Sequence, residues 1–152
     1  MNEKLMIEAL SLAEKAEEAG EVPVGCVIAD RNGNIIGRGR NRREEKHDAS
    51  SHAEIEAIRE ACDAVHDWRL DGCSLYVTLE PCPMCAGAII NARISEVVFG
   101  ARDPVMGSSG SVIDLFCENY PNHPHVFQGI NENESRELLQ RFFRNKRRSS
   151  FD

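Results

Sequence analysis

Between Lys4 and Ala19, apolar residues recur at Leu5, Ala9, Leu12, Ala13 and Ala16. That three-to-four spacing lines one face of a helix, and the pattern stops at Gly20. Two apolar stretches, Val24 to Ala29 and Asn34 to Arg40, flank Asp30-Arg31-Asn32-Gly33, whose turn-forming residues predict a hairpin. A second amphipathic segment runs from Ser51 to about Ala61, with Ser50 or Ser51 as N-cap. Leu75 to Leu79 reads as a short strand, and a helix opening on Pro83 continues to about Ala92. Glu96 to Gly100 makes another strand, followed by a loop rich in Gly and Ser from Asp103 to Ser111. Val126 to Ile130 is a short fifth strand, and Glu132 to about Arg144 a last helix. Strand, helix, strand in succession implies a parallel crossover, whereas the hairpin is antiparallel. The pattern therefore predicts one α/β domain over residues 1–152, a three-layer α/β/α sandwich around a five-stranded mixed sheet, without repeats or linkers.

The chain has 152 residues, the size of one domain, and 41% hydrophobic content is enough for a core. Eighteen basic against 25 acidic residues leave a formal charge of −7, so bulk charge does not predict a nucleic-acid partner. Local clusters change that picture. Arg38, Arg40, Arg42 and Arg43 precede Ser51, and Arg141, Arg144, Lys146, Arg147 and Arg148 crowd a basic helix end and tail from about 141. Such stripes can carry phosphate contacts in a chain that is acidic as a whole. No leader-like segment and no apolar run of membrane-spanning length is present, so no membrane partner is expected and a cytoplasmic, reducing location is. Cys26, Cys62, Cys73 and Cys117 are then expected as free thiols in or near the core.

The remaining two cysteines belong to the chemistry. His52-Ala53-Glu54 is followed by Pro81-Cys82-Pro83-Met84-Cys85, one imidazole and two thiols with a carboxylate two residues from the first. Three protein ligands leave a fourth zinc position open, which separates a catalytic zinc from a structural one. Cys82 and Cys85, three apart, fall on one face of a helical first turn, where the dipole favours thiolate. Zinc lowers the pKa of water towards neutrality, and Glu54 is placed to move protons for it. Hydrolytic deamination of a nucleobase suits this set. A structural zinc would instead close its shell with another ligand, for which His47, His123 and His125 are candidates. Glu56 reads as solvated surface, Trp68 and Phe116 as core or subunit contacts, and His47, His66, His123 and His125 as surface or hydrogen-bonded histidines.

The pattern H-x-E with P-C-x-x-C is the signature of zinc-dependent nucleobase deaminases. Nearly the whole chain resembles the bacterial tRNA adenosine deaminases within the cytidine and deoxycytidylate deaminase superfamily. The resemblance rests on Glu21 to Gly25, Gly39-Arg40-Asn41, His47-Asp48, His52 to Ile55, Leu75 to Cys82, Met84 to Ala88 and Val97 to Asp103. Val97 to Asp103 and Arg141-Phe142-Phe143-Arg144 narrow it to the tRNA branch. It implies a cytidine-deaminase-like fold, one zinc per chain on His52, Cys82 and Cys85, and Glu54 as the proton shuttle. It implies inosine formation at the wobble adenosine of a tRNA anticodon stem-loop by a homodimer. It also implies roles for single residues: Asn41 on the base, Asp103 by the ribose and backbone, and Val24 as pocket wall. The Ala53 and Cys82 amides would meet the oxygen on zinc, Phe143 would stack on a loop base, and Arg144 would sit on the RNA. Asn41 and Asp103 read equally well as turn formers. Guanine, cytosine and nucleotide deaminases share the zinc motif, and a noncatalytic tRNA-binding subunit would keep zinc but lack the glutamate. Pro83, Pro104 and the acidic segment Asn131 to Glu134 depart from the family pattern.

Overall fold

Strand β1 (Gly25–Ala29) lies beside β2 (Ile35–Arg40) and β3 (Ser74–Leu79), antiparallel to both, and β3 continues in parallel to β4 (Glu96–Ala101) and β5 (His125–Gln128). The order β2-β1-β3-β4-β5 is the mixed five-stranded sheet expected from hairpin and crossovers. This computed structural model describes residues 2–149. Successive side chains of a strand point to opposite faces. Cys26, Ile28, Leu75, Val77, Val97 and Phe99 accordingly face one core, with α3 (Ala53–Val65) and α4 (Pro83–Asn91). Val27, Ala29, Tyr76 and Val98 face the other, against α1 (Glu3–Glu18), with α5 (Glu132–Ser149) lying beside α1 and packed on β4. Both faces being covered explains why the central strands are continuously apolar instead of alternating.

The seat of α3 is set by the absence of two side chains. A Cβ on Gly39 would lie 2.7 Å from Ala57 N and 2.9 Å from Glu56 Cβ, and one on Gly37 2.9 Å from Ala61 Cβ. The helix therefore rides flush on β2, and its N-terminus, carrying His52 and Glu54, is held at the sheet's edge.

Several expectations shift. Helix α3 begins at Ala53 with His52 as N-cap, and the hydroxyls of Ser50 and Ser51 bond Asp48 (2.7 and 3.2 Å) instead of capping it. It extends to Val65, where His66 takes the left-handed conformation. A four-residue helix α2 (Arg43–Lys46), to which the sequence pattern assigns no element, forms where the buried carboxylate of Glu21 accepts the amides of Glu44 (3.1 Å) and Glu45 (2.8 Å). That cap comes from more than twenty residues away and has no local signal. The last helix outruns Arg144 to reach Ser149, so the basic stretch is helix and not tail; residues 150–152 lie outside the described residues. All six cysteines are free thiols, but Cys117 is exposed, on a 3-10 turn (Leu115–Cys117) at the surface. Phe116 packs in the core, whereas Trp68 is 58% exposed between the guanidinium groups of Arg69 and Arg93. Glu56 is partly covered and bonds Lys46 (2.8 Å). Among the described residues no helix is long and apolar enough to cross a membrane.

Candidate active site

Two helix N-termini converge beyond the carboxyl end of β3. Cys82 is the N-cap of α4 and Pro83 its first residue, which lets the turn begin without wasting an N–H. Cys85 follows one turn on, while His52 caps α3. His52 Nδ1 stands 3.6 Å from Cys82 Sγ and 3.6 Å from Cys85 Sγ, and the three ligand atoms lie within 4.8 Å of one another. A tetrahedral ion at about 2.0 Å from nitrogen and about 2.3 Å from sulfur requires N···S separations of about 3.5 Å, so the triangle has the dimensions of a zinc site. Among the described residues no fourth protein ligand joins it; His47, His66, His123 and His125 are all exposed, and His123 bonds the Glu118 carbonyl. An open shell of this kind fits catalysis.

Its electrostatics divide the ligands: Cys82 is ready as a thiolate, while Cys85 and His52 hold protons that a metal would displace. The Cys85 thiol donates to Cys82 and, despite burial, holds Cys82 down to about 4, with His52 assisting. That same bond and burial push Cys85 far up, so the pair carries one ready thiolate and one proton to be displaced. His52 is raised by its bond to Cys82. Glu54, 4% exposed on the first turn of α3, is pushed up to about 7 chiefly by burial. A carboxyl poised near neutrality can both take and give protons.

These groups open into a cavity of about 560 Å³ that Val24, Asn41, His52, Glu54, Asp103 and Phe143 help to line. Asn41 is buried and used at both ends of its amide: Nδ2 donates to the Val22 carbonyl (3.1 Å), and Oδ1 accepts the Ala53 N–H (3.0 Å). The Ala53 amide, expected to face the oxygen on zinc, is thus engaged by Asn41. Asp103 is indeed a turn former at the rim, its Oδ1 accepting from Val105 (3.0 Å) and Met106 (3.2 Å). Phe143 packs edge-on against Phe142 (5.3 Å) and reaches the cavity. Arg144 lies outside it, in an adjoining groove with Arg102, Phe143 and Arg147. Arg141 is drawn off to the other side, where its Nε donates to Glu17 (3.1 Å).

Arg43, one of the clustered arginines expected to meet phosphate, lines the cavity, and two further residues were not singled out by the sequence. Arg102 also lines the cavity; it stood in a run where arginine is ordinary surface. Glu80 accepts the N–H groups of Asp103 (3.1 Å), Ser109 (2.9 Å) and Ser111 (3.1 Å), and the Ser111 hydroxyl. Burial raises its carboxyl, yet those bonds outweigh it and hold the group below its usual range. Its only signal was an acid placed next to the proline of the cysteine motif.

The profile of the cytidine and deoxycytidylate deaminase zinc-binding region matches residues 1–101. A tRNA-specific adenosine deaminase of Bacillus subtilis is 49% identical over 148 residues, 97% of this chain and 91% of that protein. One from Agrobacterium fabrum is 47% identical, over 91% of each. A solved chain from structural studies of A-to-I editing by tRNA:A34 deaminases at the wobble position of transfer RNA superposes with a TM-score of 0.87 at 45% identity. That match covers 91% of this chain and all of the other.

Proposed function

The chain belongs to the cytidine and deoxycytidylate deaminase family, and from that premise we propose that it deaminates the wobble adenosine of a tRNA anticodon to inosine. One observation carries the reading. A buried, proton-accepting carboxylate, Glu54, shares a cavity with a three-ligand zinc triangle, in a chain that matches tRNA adenosine deaminases over nearly its full length. One zinc per chain, held by His52, Cys82 and Cys85, supplies Lewis acidity that makes water nucleophilic near neutral pH.

The residues do the rest. Glu54 takes a proton from the attacking water as its oxygen bonds to C6 of adenine, and returns it to N1. It then carries the second proton to the exocyclic amine as the C6–N bond breaks. Adenosine and water become inosine and ammonia. Asn41 faces the base edge with the spare capacity of its amide, and Asp103 sits by the ribose. Val24 forms the wall, while Phe143 stacks a loop base and Arg144 meets a phosphate. An anticodon loop presents its base already unstacked, which avoids most of the cost of extrusion. The active form is read as a cytoplasmic homodimer, and exposed Val105, Met106, Val112 and Ile113 near the cavity rim offer an apolar face for the second copy.

The test uses zinc-loaded protein and an anticodon stem-loop with adenosine or guanosine at the wobble position. Inosine and ammonia are expected one for one from the first substrate only. Glu54→Ala is expected to keep zinc and RNA binding and to lose nearly all turnover. Activity within a few-fold of the parent in that variant, or turnover confined to free guanine or cytosine, would refute the reading.

A further inference from the structure

The loop from 103 to 111 supplies the cavity wall formed by Asp103, Pro104, Val105 and Met106, and it contains no helix or strand of its own beyond an isolated bridge, Ser109 to Asp114. Besides backbone bonds such as Val112 N–H to the Gly107 carbonyl (2.9 Å) and Leu115 N–H to the Ser108 carbonyl (2.9 Å), one side chain from elsewhere gathers its amides. Glu80, 2% exposed, stands between the end of β3 and the Pro81-Cys82 turn, with its own N–H on the Ala101 carbonyl (2.8 Å). Its Oε1 accepts from the Asp103 amide and the Ser111 hydroxyl, and its Oε2 from the amides of Ser109 and Ser111. Beside it the Pro81 carbonyl accepts the Ser108 N–H (2.8 Å). Gly107 completes the fit: a Cβ there would fall well inside van der Waals contact of both the Glu80 carboxylate and the Asp103 carbonyl. The loop is thus wrapped around a carboxylate that is covalently two residues from a metal ligand.

We propose that Glu80 is a positioning residue that fixes the wall Asp103–Met106 at a set distance from the Cys82–Cys85 turn, and thereby governs how tightly the cavity holds its nucleotide. It acts through the loop and touches no reacting atom. The chemistry of the four donors makes this specific to a carboxylate. In glutamine, turning the amide one way leaves the Asp103 N–H facing an –NH2, and turning it the other way leaves those of Ser109 and Ser111 so placed. At least one buried backbone donor is orphaned whichever rotamer is chosen, and an orphaned buried group is costly enough to move the loop. A wall contact acts on bound substrate and transition state alike, so its loss belongs in KM and not in kcat.

The experiment compares Glu80→Gln, Gly107→Ala and Ser111→Ala with the parent by zinc content, amide exchange and steady-state kinetics on the anticodon stem-loop. For Glu80→Gln, one zinc per chain is expected, with faster exchange at Asp103, Ser109 and Ser111. KM should rise about tenfold and kcat should stay within about threefold. Gly107→Ala, which leaves Glu80 intact, should reproduce that pattern. Ser111→Ala removes one donor only and should shift KM a few-fold in the same direction, which keeps the test decisive if the other two fail to fold. Loss of zinc, or a fall in kcat at constant KM, would place Glu80 behind the cysteine turn and overturn the proposal. Unchanged exchange and KM would overturn it as well. The kinetic arm rests on the reading of the cavity as a tRNA adenosine site, whereas the exchange arm does not. A parent that makes no inosine would therefore count against that reading, while the exchange pattern judges Glu80 separately.

Discussion

Asn41 offers the sharpest test of whether a residue at the substrate cavity is there for the ligand, for the fold, or for both. Replacing it by alanine removes two hydrogen bonds at once. The Val22 carbonyl loses the 3.1 Å bond from Nδ2 but keeps the Val24 N–H at 2.8 Å, so that loss is small. The Ala53 N–H is different. It is the first amide of α3, with no intrahelical partner available, and it sits in a buried residue whose 3.0 Å bond to Oδ1 is its satisfaction. Orphaning such a donor costs about 1–3 kcal/mol. For a domain of this size each kcal/mol moves Tm by roughly 2–4 °C, so a drop of roughly 2–12 °C follows. Thermal unfolding of zinc-loaded Asn41→Ala measures it, alongside KM for the stem-loop. A Tm within a degree of the parent would refute the structural half of the argument and leave Asn41 a ligand contact alone. A lowered Tm with unchanged KM would refute the other half.

Gly39→Ala should displace α3 from β2, because the new Cβ would meet Ala57 N at 2.7 Å. Overpacking of this kind costs about 1–3 kcal/mol, and a Tm loss with weakened zinc affinity would report it, whereas unchanged values would show that the helix can yield freely. Asp48 is held below its usual pKa first by the Ser50 hydroxyl and then by the Ser50 amide. A depressed carboxyl stabilises the fold above its unfolded pKa and ceases to do so as pH falls through the lower folded value. Asp48→Ala should therefore be less stable than the parent at pH 7, and the gap should close in denaturant titrations as pH falls below the ordinary carboxyl range and through the depressed folded value; an equal gap at both ends would contradict that. Zinc at about 1,000 times its Kd should add about 4 kcal/mol, or a Tm rise of roughly 8–16 °C, absent in Cys82→Ala; a rise surviving that substitution would displace the metal from the site. Arg144→Ala and Arg147→Ala should each lower the salt slope of RNA binding by about 0.7, while Arg141→Ala, held by Glu17, should leave it alone; the reverse ranking would refute the placement of the groove.

How much of this was legible depended on distance along the chain. The zinc ligands and Glu54 lie in two short motifs, and each motif carries its own geometry: a proline opening a helix, and cysteines one turn apart. The mixed character of the sheet was legible for a related reason, since hairpin and crossover signals are local, whereas the order β2-β1-β3-β4-β5 is set by which hairpin strand β3 pairs with and carries no local signal. Residues whose roles are made by distant partners were not. Glu21 acts on α2 from more than twenty residues away and Glu80 on Ser111 from 31 positions away, and nothing near either acid marks it as buried. Asn41 was read as a base contact by family likeness and as a turn former by itself. Its actual bonds, to Val22 and Ala53, are cross-links that appear only once β2 and α3 are packed. Of the two readings of Trp68, core or subunit contact, the structure removes the core one: two flanking arginines give its ring faces partners at the surface.

Charge shows how an acidic chain can present a basic site. A formal −7 repels phosphate on average, but the average is not what a ligand meets at short range. Arg40 and Arg42 both pair with Glu45, Lys46 with Glu56, Arg69 with Asp67, Arg136 with Glu132 and Arg141 with Glu17. These pairs are partly or largely solvent-exposed, so each contributes little to stability. Apart from Arg136, which lines the adjoining groove, the cations they cancel lie outside the cavity and that groove. Arg43 and Arg102 at the cavity, and Arg144 and Arg147 in the adjoining groove, have no ion-pair partner among the described residues. Positive charge without an ion-pair partner therefore borders the cavity that holds the zinc triangle, Glu54 and Phe143, and within about one Debye length, about 8 Å at physiological salt, a phosphate in the adjoining groove meets those guanidinium groups.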